Sequence, residues 1–177
     1  MIKEENIFLI GMMGSWKSTV GRKLANVLNM EFVDTDDVIE EVTEMKISDI
    51  FSEFGEIRFR EMEMAFLKEK SLQKGQIFST GGGIVLQSSN RNILKNNGTT
   101  FFLEASIKIL ADRINNTKKR PLLDGSKYID VQLEEIWIER KKFYEDSSHH
   151  TINTDTLSPS QVLDKVLNIL ELPLANY

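Results

Sequence analysis

Hydrophobic positions along the chain fall into two alternating kinds of run. Short unbroken apolar stretches, such as Ile7-Phe8-Leu9-Ile10, suit strands buried on both faces. Longer stretches carry apolar residues at helical spacing. Between Lys17 and Leu28 these are Val20, Leu24, Val27 and Leu28, the stripe of an amphipathic helix. The same pattern predicts further strands at 31–34, 76–79, 99–103 and 151–153. It predicts helices at 36–42, 47–54, 56–71, 89–96, 106–115, 130–146 and 158–170, and a polar loop at 116–127. Strands alternating with helices imply a parallel sheet covered on both faces. Ligands of such sheets bind beyond the carboxyl ends of the strands, so candidate chemistry is sought just after each strand.

Composition narrows the picture. The 177 residues include 22 Lys plus Arg and 27 Asp plus Glu, a net charge of −5, and no cysteine. One ordinary globular domain of about 100–200 residues fits. The cysteine count excludes a disulfide framework, a thiolate metal site and a catalytic thiol. The acidity argues against a duplex-DNA partner. No apolar run approaches the ~18 residues that span a bilayer. The start Met-Ile-Lys-Glu-Glu-Asn lacks the pattern of a signal peptide. A cytoplasmic chain without membrane or nucleic-acid partners is expected.

The loop after the first strand reads Gly11-Met12-Met13-Gly14-Ser15-Trp16-Lys17-Ser18-Thr19. A P-loop has the pattern G-x-x-x-x-G-K-[ST] in this strand–helix setting. Its backbone N–H groups surround phosphate oxygens, aided by the helix N-terminus. Lys17 would then reach the outer phosphates and Ser18 would ligate Mg²⁺. The competing reading is a glycine-rich turn capping a helix, with Lys17 solvated. Trp16 stands where the second glycine belongs. A non-glycine residue at positive φ costs ~1–3 kcal/mol, and its side chain could crowd a phosphate or reshape the loop. Three readings follow: a functional loop that tolerates Trp16, a nucleotide-impaired relative, or a variant particular to this copy of the sequence.

Taken together, the motifs resemble the shikimate kinase family. Gly11 to Ser15 and Lys17-Ser18-Thr19-Val20-Gly21 match its first motif except at Trp16. Asp34-Thr35-Asp36 matches the second-strand motif. Phe51, Gly55-Glu56, Phe59-Arg60 and Glu63 match F-x-x-x-G-E-x-x-F-R-x-x-E. Gly81-Gly82-Gly83, Arg120-Pro121-Leu122-Leu123 and Arg140 with Tyr144 follow in order, Lys142 replacing the usual proline. The resemblance implies MgATP-dependent phosphorylation of the 3-hydroxyl of shikimate by a small kinase, here expected to be a monomer. It also implies a three-layer α/β/α P-loop fold like that of nucleoside-monophosphate kinases, with five parallel strands in order 2-3-1-4-5. The whole of 1–177 is then one kinase domain, with a substrate-binding helical insert at about 36–63 and a lid at about 114–127.

The resemblance also implies roles. Lys17, Asp36 and Arg120 would be catalytic, Asp36 accepting the hydroxyl proton and Arg120 reaching the transferring phosphate. Residues Gly11, Met12, Met13, Gly14, Ser15, Trp16, Lys17, Ser18 and Thr19 would hold ATP, with Arg113 and Pro159 on the adenine side. Ser18 and Asp34 would serve Mg²⁺. Asp36, Arg60, Gly81, Gly82, Gly83 and Arg140 would bind shikimate, the arginines gripping its carboxylate in bidentate fashion.

Plainer readings stand beside these. Asp36 or Asp37 would N-cap the next helix. Arg60, with Glu56 at i−4 and Glu63 at i+3, would make helix-surface salt bridges, or Glu63 would orient Arg60. The triple glycine would be a flexible turn, and 115–120 a solvated loop. Met12, Met13 and Trp137 read as packing residues. His149 and His150 do not read as a metal site. A non-catalytic relative blocked at Trp16, or a kinase of another polyhydroxy acid such as gluconate, are the alternative functions.

Overall fold

The apolar run at 7–10 becomes the middle strand of the sheet. The computed structural model describes residues 5–116 and 129–172. Its strands are β1 (Asn6–Ile10), β2 (Glu31–Asp34), β3 (Gln76–Ser79), β4 (Gly98–Glu104) and β5 (His150–Asn153). All neighbouring pairs are parallel, in the order β2-β3-β1-β4-β5. Phe8 of β1 lies opposite Phe78 on one side and Thr100 on the other. The helices are α1 (Lys17–Leu28), α2 (Thr35–Thr43), α3 (Ile47–Lys70), α4 (Ser88–Asn96), α5 (Ile107–Asn115), α6 (Ile129–Ser147) and α7 (Pro159–Ile169).

Strand alternation divides the interior into two cores. Phe8 and Ile10 face one side, with Leu67, Leu94, Leu110, Leu133 and Tyr144 from α3, α4, α5 and α6. Ile7 and Leu9 face the other, with Val20 and Leu24 of α1 and Val162, Leu163, Val166 and Leu167 of α7. This is the expected three-layer parallel architecture, with helices on both faces. A third, small cluster of Ile39, Ile50 and Phe59 ties α2 to α3, so the segment expected to bind substrate has its own apolar anchor.

The two helices expected at 47–54 and 56–71 meet at Gly55, whose φ 78° and ψ 169° are not helical, so the stretch named α3 is two helical pieces joined across a kink, as the pattern predicts. Several boundaries differ from the sequence reading. Helix α2 begins at Thr35 and its N-cap is Asp34, whose carboxylate accepts from the Asp36 N–H. The expected caps Asp36 and Asp37 are therefore corrected: they lie inside the first turn, where their charges favour the helix N-terminus. A short 3₁₀ turn at Ile84–Leu86, which the pattern does not predict, follows the triple glycine. Helix α7 starts with a reciprocal cap between Ser158 and Gln161, Pro159 occupying the first turn. Arg120 and most of the expected lid lie outside the described residues.

Candidate functional site

The loop between β1 and α1 runs along the carboxyl edge of the central strand. Gly11 and Gly14 have φ 145° and 81°, conformations open to glycine. A Cβ on Gly14 would touch the Ile114 side chain at 3.2 Å, so α5 packs directly on the loop. Lys17 is buried, and its Nζ donates to the carbonyls of Gly11 and Met12, each at 2.9 Å. The solvated-lysine reading is thus corrected: the ammonium lies across the loop's own entrance. Ser15 is fully buried and its Oγ has no hydrogen-bond partner among the described residues. Met12 is buried in the core, with Met13 packed against it. The whole has the form of an anion cradle at a helix N-terminus.

Trp16 takes φ 71° and ψ 17° at the N-cap of α1. Its carbonyl accepts from the Val20 N–H at 2.8 Å, so the helix starts normally despite the left-handed residue. The indole leaves the loop toward α5, where the Cζ of Arg113 lies 3.4 Å from its ring centroid. Arg113 also donates to Thr154 Oγ1 at 3.0 Å and to the Thr154 carbonyl at 2.7 Å. Burial works against its charge and lowers its pKa. A half-buried cation–π contact contributes about 1 kcal/mol, at the low end of the ~1–3 kcal/mol of left-handed strain. The stack offsets part of what the conformation costs.

On the β3 side, Ser18 Oγ donates to Asp34 Oδ2 at 2.7 Å and lies 3.0 Å from Ser79 Oγ. A hydroxyl and a carboxylate at this spacing form a hard-oxygen pair. No group of three or more His, Cys, Asp or Glu side chains is placed to hold a metal among the described residues. Mg²⁺ fits such a sparse site, because it keeps several waters and takes one or two protein oxygens plus phosphate. Asp34 therefore both caps α2 and faces Ser18.

Beyond β2 and β3 the residues expected to bind substrate converge. Arg60 and Glu63 of α3 are buried together, and Arg60 Nη1 donates to Glu63 Oε2. Its other donors meet Glu56 Oε1, from Nε at 3.1 Å and Nη2 at 2.9 Å. Burial opposes the Arg60 charge, but the two carboxylates more than reverse this and raise its pKa. Burial pushes Glu63 up to about 7, with Arg60 pulling it back, Asp36 adding to the rise and Arg140 opposing it. The exposed salt-bridge reading is corrected: only Glu56 is half exposed, while the guanidinium and Glu63 face inward.

Close approach shapes the outer two positions of the triple glycine. A Cβ on Gly81 would lie 2.6 Å from Asp36 Oδ1 and 2.7 Å from Glu63 Oε1. One on Gly83 would land on the Arg60 guanidinium. One on Gly82 would sit 3.6 Å from the Gly11 carbonyl, so this turn abuts the phosphate loop. The flexible-turn reading gives way to a fixed one: the Gly81 N–H donates to Thr35 Oγ1 at 3.0 Å, and Tyr144 Oη donates to the Gly82 carbonyl at 2.5 Å. Tyr144 is fully buried, which raises the pKa of its phenol. Arg140, one turn earlier on α6, bears on both Glu63 and Tyr144. Its Nε is buried without a hydrogen bond among the described residues and sits 3.6 Å from Glu139 Oε2.

The structure thus brings together the loop 11–19 with Asp34, Asp36, Arg60, Arg140 and Gly81–Gly83, and sets Arg113 at the loop's far side. Pro159 serves as the opening residue of α7; Thr154 is the residue of this region that meets Arg113. Trp137 stacks with Phe102 and Tyr144, as packing predicts. His149 Nδ1 accepts from the Thr100 N–H at 3.0 Å and His150 stacks on Phe101. Sequence reasoning misses the Tyr144–Gly82 bond, the Ser79 hydroxyl beside Ser18, and Arg113 against Trp16. Only the spacing of Arg140 and Tyr144 hints at the first.

Comparison with known proteins agrees with this geometry. A family model described as "Shikimate kinase" matches residues 13–171. The shikimate kinase of Vibrio parahaemolyticus serotype O3:K6 is 43% identical over 171 residues, covering 97% of this chain and 99% of that protein. The shikimate kinase of Sulfurihydrogenibium sp. is 42% identical over 163 residues, covering 92% and 96%. Among solved structures, shikimate kinase from Acinetobacter baumannii in complex with shikimate superposes with a TM-score of 0.89 at 34% identity, covering 96% of this chain and 94% of that one.

Proposed function

Because the chain belongs to the shikimate kinase family, we propose that its site transfers the γ-phosphoryl group of ATP to the 3-hydroxyl of shikimate. The observation that carries this reading is the buried Arg60–Glu63 pair beside Gly83, set next to a phosphate-binding loop. A guanidinium held in plane by two carboxylates still presents a fork suited to a planar carboxylate.

In the reaction the 3-hydroxyl oxygen forms a bond to the γ-phosphorus and the bond to the leaving ADP oxygen breaks. The hydroxyl proton passes to the Asp36 carboxylate, which lies against Gly81 at the acceptor side. Lys17 leaves its loop carbonyls for the phosphate oxygens. Such transfer depends on positioning and charge stabilisation more than on covalent participation. Arg60 and Arg140 orient the acceptor through its carboxylate, and Gly81–Gly83 let it approach the backbone. Ser18 and Asp34 would hold Mg²⁺, which when bound would supply positive charge to offset that of the phosphates. Arg120 is assigned to the transferring phosphate by its place in the family motif. The same reading makes this a cytoplasmic, monomeric, single-domain kinase with 36–63 as its substrate-binding insert.

A coupled assay with ATP, Mg²⁺ and either shikimate or gluconate tests the reading. Turnover with shikimate and not gluconate is expected; gluconate preference, or no turnover at saturation, overturns it. Trp16 favours one second reading, a nucleotide-impaired relative, because its left-handed conformation lies in the phosphate loop itself. Recovery of activity only in Trp16→Gly would support that alternative.

A further inference from the structure

The phosphate loop on β1 separates two sides of the carboxyl edge. Asp34, Asp36, Arg60 and Glu63 belong to β2, α2 and α3, and Gly81–Gly83 follow β3. A nucleoside triphosphate that points its terminal phosphate toward these groups carries its nucleoside the other way, past β4 and β5. On that side Arg113 of α5 meets Thr154, just beyond β5. Trp16 is already there. Its ring packs against the α1–α7 core and lies 3.4 Å from the Arg113 Cζ. Three acceptors on Thr154 and Gly14 fix the guanidinium on that ring, at 3.0, 2.7 and 3.5 Å.

A guanidinium stacks on aromatic rings through its flat faces. An indole and a purine use the same contact, so a face taken by one is withheld from the other. We propose that Trp16 is a built-in base mimic: its indole holds the stacking face of Arg113, and the site therefore binds nucleoside phosphates chiefly through their phosphates, with little discrimination among bases. Trp16 is in this sense a specificity-determining residue for the phosphoryl donor. The inference rests on the kinase reading above, and it assigns the indole an effect separate from strain in the loop. Strain acts on every phosphate ligand alike; the mimic acts only on ligands that carry a base.

Calorimetric titration of the full chain with Mg²⁺ and ADP, GDP or pyrophosphate separates the two. In the unaltered protein ADP and GDP are expected to bind within about threefold of each other, and ADP no more than about threefold tighter than pyrophosphate. Trp16→Ala removes the indole but keeps a Cβ at the strained position. It is expected to raise the ADP-to-pyrophosphate preference about tenfold. Trp16→Phe keeps a ring and should retain the low preference. Trp16→Gly should raise the preference as Trp16→Ala does and tighten pyrophosphate as well. An unchanged or reduced preference in both Trp16→Ala and Trp16→Gly overturns the mimic while leaving the kinase reading intact. Failure of every ligand to bind the unaltered protein and Trp16→Gly overturns the kinase reading, and the mimic with it.

Discussion

Arg60 and Glu63, three residues apart on α3, face each other with the carboxylate side chain 0% exposed and the guanidinium side chain 10% exposed. Burial raises Glu63 from 4.5 to about 7. A carboxyl whose pKa rises on folding is held in its protonated form more strongly by the native state. Its contribution to stability is therefore most favourable below about pH 4.5 and is lost as pH rises through about 7, at about 1.4 kcal/mol for each pH unit between those two values. Glu63→Gln removes this titration. The stability of the unaltered protein relative to Glu63→Gln should fall between about pH 5 and 7 and level off above. Urea midpoints of both proteins across that range provide the measurement, and parallel profiles would count against the buried carboxyl.

Gly83→Ala should act on binding and folding together. The added Cβ meets the Arg60 guanidinium, which Glu63 and Glu56 hold in place, so making room disturbs a buried ion pair. The expected outcome is a loss of stability of about 1–3 kcal/mol, with KM for shikimate raised about 10–100-fold. Steady-state kinetics and a melting curve on the same preparation check both halves.

Ser18→Ala deletes the hydroxyl that donates to Asp34 at 2.7 Å. Loss of one metal-side oxygen should raise the Mg²⁺ concentration needed for half-maximal rate and lower kcat about 10–100-fold. The Mg²⁺ titration of initial rates is the informative measurement; an unchanged Mg²⁺ requirement would remove Ser18 from the metal site.

Tyr144→Phe leaves the Gly82 carbonyl without its phenolic donor. An unsatisfied buried acceptor costs about 1–3 kcal/mol, so the urea midpoint should fall accordingly. The glycine turn should also lose its fixed position, raising KM for shikimate more than it lowers kcat. Kinetics with shikimate as the varied substrate distinguish this from a general loss of folded protein, which would lower kcat alone.

Much of the molecule is legible in its sequence because it depends on local pattern. The unbroken apolar run at 7–10 and the stripe Val20, Leu24 require a buried strand and an amphipathic helix, and both are present. Gly55 is visible as a break between two helical patterns, and the backbone leaves the helical region there. What escapes depends on which side chains the sheet order brings together. Glu63 looks like a solvated partner of Arg60 until α3 packs it behind Gly81. The cap of α2 is ambiguous because Asp34, Asp36 and Asp37 are chemically alike, and only the backbone decides which one precedes the first helical residue. The strain at Trp16 follows from the motif, but its relief by Arg113 arises from contact between residues on α5 and at the start of α1, far apart along the chain.

The strand order has a consequence for how such a protein can change over generations. From Asp34 to Gly83 the chain contributes, in one unbroken stretch, the acceptor-side groups Asp36, Arg60, Glu63 and the triple glycine. In the proposed reading Arg113 and Thr154, on the nucleoside side, come from later segments on the opposite flank of β1. A recombination confined to that stretch could install a different acceptor preference as a single heritable cassette, provided it kept Asp34 opposite Ser18. Tyr144 and Arg140, reaching over from α6, are the stitches such a graft would have to match.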